Sequence, residues 1–105
     1  MIRQALDRYR AAYERLDARS AQQVWPAVDA AALARAFTGL RSQALTFDDC
    51  EVRIAGATAT AACSGSMRFV PKVGSQQPRV ESRLWDFTLR QNGSDWKIES
   101  ARVDR

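Results

Sequence analysis

A chain of 105 residues, 46% hydrophobic and formally +4, is one domain with a single core and no room for a second module. It contains no histidine and only two cysteines, which excludes His-based acid–base catalysis, Ser-His and Cys-His nucleophile pairs and the usual zinc ligand sets. Its basic residues, arginine except for Lys72 and Lys97, are spread along the chain from Arg3 to Arg105 rather than gathered on one aromatic-interleaved face, and no apolar run reaches the roughly 18 residues of a membrane span, so neither nucleic acid nor membrane insertion is expected.

Ile2, Leu6, Tyr9, Tyr13 and Leu16 recur at spacings of four and three, which predicts one apolar stripe of a helix over residues 2–16. Arg3, Asp7, Arg10 and Glu14 occupy the other face, with Asp7–Arg10 and Arg10–Glu14 as helical ion pairs. Asp17 is placed to cap a short second helix carrying Ala21, Val24 and Trp25, which Pro26 terminates. Asp29 caps a third, through Leu33, Ala36 and Phe37, and Gly39 is positioned to supply a left-handed stop.

Beyond Gly39 the apolar period changes to two, and strands are expected. Leu45 and Phe47 share one parity and Cys50, Val52 and Ile54 the other, so Asp48-Asp49 marks a bulge. A two-residue turn at Gly56-Ala57 pairs Ala55 with Thr58, Ile54 with Ala59, Val52 with Ala61 and Cys50 with Cys63, the last as a non-hydrogen-bonded pair close enough for a disulfide. The alternative is two buried free thiols. Strand two then ends near Cys63, Ser64-Gly65 make a connection, and Met67, Phe69 and Val73 carry a further strand.

Residues 79–91 form the longest predicted strand, and Asn92-Gly93 reads as a two-residue hairpin turn. That register sets Leu89 against Trp96, Phe87 against Ile98, Trp85 against Ser100 and Arg83 against Arg102. Two guanidiniums facing across a ladder are unfavourable, so Glu81, Glu99, solvent or an anionic ligand must offset them. The outer face of this hairpin carries Val80, Leu84, Ala101 and Val103 beside Asp86, Thr88 and Lys97, an apolar strip suited to a partner.

Three helices followed by an antiparallel meander, with the segments VWPAVDAAALARAFTGLRSQALTFDDCEV (residues 24–52), CSGSMRFVPKVG (63–74) and RLWDFTLRQNGSDWKIESAR (83–102), resemble small bacterial members of the nuclear transport factor 2-like superfamily over nearly the whole chain. The resemblance implies an α+β fold of three N-terminal helices packed on a strongly curved antiparallel sheet, cone-shaped, in a single domain spanning residues 1–105. It further implies an extracytoplasmic domain, periplasmic or extracellular, from the C-terminal end of a larger exported or membrane-anchored protein; the abrupt start inside an amphipathic pattern favours its excision from such a protein, with Met1 supplied as an initiator. Such a compartment favours the Cys50–Cys63 disulfide; a cytoplasmic location is the alternative.

On this reading the domain is a non-catalytic ligand-binding or protein-interaction module, with no cofactor and no metal. Its pocket would be lined by Tyr9, Tyr13, Trp25, Arg83, Trp85 and Arg102, and would take a small anionic or hydrophobic ligand. Partners are a second copy, through the sheet, or the rest of the parent protein. The alternative is a small enzyme of the ketosteroid isomerase or polyketide cyclase type, in which Tyr13 polarises a carbonyl. That chemistry needs an inward carboxylate, and Asp86 points away from the face lined by Trp85 and Phe87, while Glu81 shares their parity near the strand's open end.

Overall fold

The computed structural model describes residues 2–104, so Met1 and Arg105 lie outside the described residues. The chain runs α1 (Ile2–Glu14), α2 (Ala18–Val24), α3 (Ala30–Thr38), β1 (Leu40–Ala55), β2 (Thr58–Pro71), β3 (Arg79–Asn92) and β4 (Asp95–Asp104). The strands form one curved antiparallel sheet in the order β1-β2-β3-β4, and the helices cover one face of it. No helix among the described residues is long and apolar enough to cross a membrane.

The helix starts follow the sequence. Asp17 accepts from the Ser20 amide at 3.1 Å and the Ser20 hydroxyl at 2.7 Å, and these bonds hold its carboxyl below the usual range. Asp29 accepts from the Ala32 amide at 3.0 Å. The helix ends differ from expectation. Leu16 is not part of the α1 stripe: it sits at φ 54° just past the helix. Its N–H donates to the Tyr13 carbonyl and that of Asp17 to the Ala12 carbonyl, the paired bonds of a left-handed cap. Gly39 does not supply such a stop: its φ is −84°, it continues the helical geometry with its N–H on the Ala36 carbonyl at 3.2 Å, and its carbonyl accepts from the Lys72 N–H at 3.0 Å.

The first hairpin has the expected register throughout, including the bulge between Phe47 and Asp49. Gly56 occupies the first turn position at φ 63°. Cys50 and Cys63 are joined by a disulfide with Cα atoms 4.0 Å apart.

Ser64-Gly65 is not a connection, however. β2 runs unbroken to Pro71, with Gly65 opposite Phe47 at the bulge. A glycine there admits the neighbouring backbone at close range rather than ending the strand.

The second hairpin turns one residue later than expected, at Gly93-Ser94, so that Asn92 pairs with Asp95 and Leu89 with Ile98. Moving the turn by one residue shifts the pairing by two and leaves every side chain on its face, so hydrophobic alternation does not distinguish the two registers. A bulge at Glu99 then changes the outcome. Beyond it Thr88 pairs with Ser100, Phe87 with Ala101, Asp86 with Arg102 and Trp85 with Val103. One inserted residue reverses the faces, so Ala101 and Val103 turn to the helix-covered side while Ser100 and Arg102 turn outward. The outer apolar strip reduces to Val80 and Leu84.

The core lies between α1 and the inner sheet face: Ile2, Leu6, Tyr9, Val24, Leu45, Ala61, Cys63, Trp85, Phe87, Leu89 and Ile98 are buried together. Lys97 ties β4 to the helical layer, donating to the Gln23 carbonyl near the end of α2 at 3.0 Å. A cation there also suits the negative end of a helix.

Candidate functional site

Four of the six predicted pocket residues meet in the interior, where they are packing. Tyr9 is 1% exposed and Trp85 1%. The Tyr9 ring stacks on Tyr13 at 4.3 Å, meets Phe87 edge-on at 5.0 Å and lies 6.4 Å from Trp25. Tyr13 meets Phe37 edge-on at 5.3 Å, and Phe47 meets Trp85 at 4.9 Å. These offset and edge-on contacts are the preferred aromatic geometries. Burial pushes the phenol of each tyrosine above its ordinary value. Gln43, the buried polar side chain of β1, donates to the Tyr13 carbonyl at 3.1 Å.

The two arginines do not converge. Arg83 faces inward opposite Gly65 on β2, with its guanidinium held by Glu81 and by the Ser82 carbonyl. Arg102 lies on the outer face opposite Asp86, its side chain 79% exposed and 3.9 Å from Asp104. The bulge at Glu99 separates them. As parity predicted, Asp86 points outward, and Glu81 shares the inward face but is engaged by Arg83. Among the described residues no three His, Cys, Asp or Glu side chains converge as a metal site requires.

Two concavities lie elsewhere. A groove of ≈ 390 Å³ separates α1 from β1, with an apolar floor of Leu6, Leu45, Phe47 and Val52, with Arg3, Asp7 and Arg10 on the helix side and Asp48, Asp49 and Cys50 on the strand side. A shallower hollow of ≈ 570 Å³ on the outer sheet face is lined by Thr60, Ala62, Asp86, Thr88, Ser100 and Arg102, with the Thr88 and Ser100 hydroxyls bonded to each other. The groove was missed by sequence reasoning although both walls were visible in it. The charged stripe of α1 and the Asp48-Asp49 bulge each read as a solvated surface, and only the docking of α1 on the sheet sets them face to face.

This arrangement, three capped helices on the inner face of a curved four-stranded meander, is the nuclear transport factor 2-like, cystatin-like α+β fold. A candidate dehydratase of the nuclear transport factor 2-like family from Streptomyces avermitilis superposes with a TM-score of 0.84 at 15% identity, over 97% of this chain and 92% of that one. A nuclear transport factor 2-like protein with a cystatin-like fold from Novosphingobium aromaticivorans gives 0.73 at 19% identity, over 97% and 77%. A hexachlorocyclohexane dehydrochlorinase from Novosphingobium barchaimii gives 0.81 at 7% identity, over 98% and 82%. At such identities the likeness is one of fold. No protein-family model matches the chain, and no curated protein matches it in sequence.

Proposed function

We propose that the chain is a non-catalytic binding or interaction domain, of sensor or scaffold type, in a bacterial protein acting outside the cytoplasm. The observation that carries this reading is the filled interior. The space between α1 and the sheet is occupied by interlocked aromatic rings, and the inward acid of β3 is paired with Arg83. A reaction site needs an accessible acid or base within reach of substrate. The Cys50–Cys63 disulfide supports an oxidising compartment.

Self-association through the sheet, or contact with another part of a larger protein, is supported by surface area. The chain exposes 6538 Å², against about 5,900 Å² for a compact monomer of this mass. A small hydrophobic ligand remains part of the reading, with the apolar floor of the α1–β1 groove as its place; the anionic ligand expected between Arg83 and Arg102 loses its site because the two do not converge.

The second reading is a small enzyme of the ketosteroid isomerase or polyketide cyclase type. Structural neighbours described as a dehydratase and a dehydrochlorinase favour it. The test incubates the domain with a chlorinated cyclohexane and with a ketosteroid, following chloride release and isomerisation, alongside Tyr13→Phe. No turnover by either protein is expected. Turnover by the parent chain that Tyr13→Phe abolishes overturns the non-catalytic reading.

A further inference from the structure

β1 is an outermost strand of the sheet, and its second half has an unusual edge. Ala55 and Thr58 close the two-residue turn and are therefore a hydrogen-bonded pair, so by alternation Ile54, Val52 and Cys50 sit in non-hydrogen-bonded pairs with β2. The short Cα separation of Cys50 and Cys63, 4.0 Å, agrees. The N–H and C=O groups of these three residues thus point away from β2, toward the open edge.

Their side chains all project to the inner face, Cys50 half-buried against the core and the other two left open beyond it: Val52 is 41% exposed and Ile54 63%. Edge strands are usually blunted by proline, lysine, inward charge or a bulge. Here the bulge lies upstream, between Phe47 and Asp49. The charges within the segment, Glu51 and Arg53, sit on the outer face and bond to each other at 2.8 Å.

This edge is complementary to itself. An antiparallel two-fold centred on Val52 sets Val52 against the partner's Val52, Cys50 against the partner's Ile54, and Glu51 against the partner's Arg53. The three residues with outward amides then form hydrogen-bonded pairs. All inner-face pairs are apolar, and both outer-face pairs join opposite charges, the favourable cross-strand combination. A centre on Glu51 or Arg53 would instead oppose like charges. The same register lays the partner's Ile54 beside Cys50 at the mouth of the α1–β1 groove, whose floor is Leu6, Leu45, Phe47 and Val52.

We propose that two copies of this chain pair through β1, antiparallel about Val52, into one sheet continuous across both, with each Ile54 covering the other's groove. This rests on the self-association reading above and names its surface, an edge rather than the outer face.

The test combines light scattering with amide hydrogen exchange by NMR on the full chain. The expected result is a dimer in which the Cys50, Val52 and Ile54 amides are protected, with protection lost on dilution. Val52→Pro removes a donor that faces only the open edge, and is expected to be monomeric with the Glu51 and Arg53 amides still protected against β2. Arg53→Glu or Glu51→Arg alone opposes like charges at two places per dimer and weakens association on the order of tenfold; the double exchange restores it. A dimer whose Cys50, Val52 and Ile54 amides exchange freely overturns the edge proposal and leaves self-association standing. A monomer at hundreds of micromolar overturns both. Single charge swaps without effect overturn the register even if Val52→Pro fails to fold.

Discussion

Gly65 of β2 lies directly against the backbone of Thr46 in β1: a Cβ built on it would overlap the Thr46 carbonyl oxygen and stand 2.9 Å from its carbon and 3.1 Å from the Phe47 Cα. The obstruction is backbone on both sides, held in place by the bulge and by Phe47 packing on Trp85. Gly65→Ala must therefore push the strands apart. We expect a loss of about 3 kcal/mol, at the upper end of overpacking costs, read as a lowered urea midpoint with an unchanged slope.

Removing the disulfide should be costly but survivable. Cys50 and Cys63 are separated by 13 residues, and opening a loop of that size costs about 3 kcal/mol in unfolded-state entropy. The hairpin keeps its turn and its apolar face, so Cys50→Ala/Cys63→Ala is expected to fold with a lower thermal midpoint. Mass spectrometry that finds both thiols free in protein made under oxidising conditions would contradict the pairing.

The tyrosine pair sets a limit at high pH. The chain has two tyrosines, so tyrosinate absorbance reports on Tyr9 and Tyr13 alone. Burial raises both in the folded state, whereas in the unfolded chain they ionise near 10. Above about pH 10 the unfolded state binds fewer protons than the folded one, and stability falls as pH rises, by up to about 1.4 kcal/mol per unit for a tyrosine that stays protonated. The expected titration shows no tyrosinate until the circular dichroism signal is lost, and then both at once. Normal titration near pH 10 in the folded protein would refute the packed pair.

The Glu81–Arg83 pair on the inner face is asymmetric. The Arg83 side chain is 14% exposed and that of Glu81 34%. Removing either strands the other, and the more buried charge suffers more. Glu81→Ala is therefore expected to destabilise more than Arg83→Ala, by about 2 against about 1 kcal/mol, in denaturant titrations at low salt. Equal losses would mean that the pair contributes as an exposed bridge.

Much of this fold follows from local chemistry. Asp17 and Asp29 announce their helices because a short carboxylate satisfies free amides three residues on, and Trp25-Pro26 stops α2 because proline denies its neighbour helical geometry. Period-two alternation and Gly56 set the first hairpin register down to the Cys50–Cys63 pair. The interior of Tyr9, Tyr13, Trp85 and Phe87 was legible as shared faces. Its filling was not, since leftover volume depends on how rings from separate elements interlock.

What the sequence determined by itself was the order of three helices before an antiparallel meander, the faces of α1, β1 and β3, and the register that brings the two cysteines together, all matters of periodicity and turn chemistry acting over a few residues. Only the tertiary structure decided that Leu16 ends a helix, that Gly65 continues a strand, and that a bulge at Glu99 sends Arg102 outward, away from Arg83. The bulge at Asp48-Asp49 shows in the sequence as a switch of apolar parity, whereas past Glu99 the small Ala101 and the part-exposed Val103 read equally well as an outer strip, so that bulge shows only when the strand is laid against its neighbour. The groove between α1 and β1 and the uncovered edge beside it have the same origin: they are properties of where the helix docks and where its cover stops, which no segment of the chain records alone.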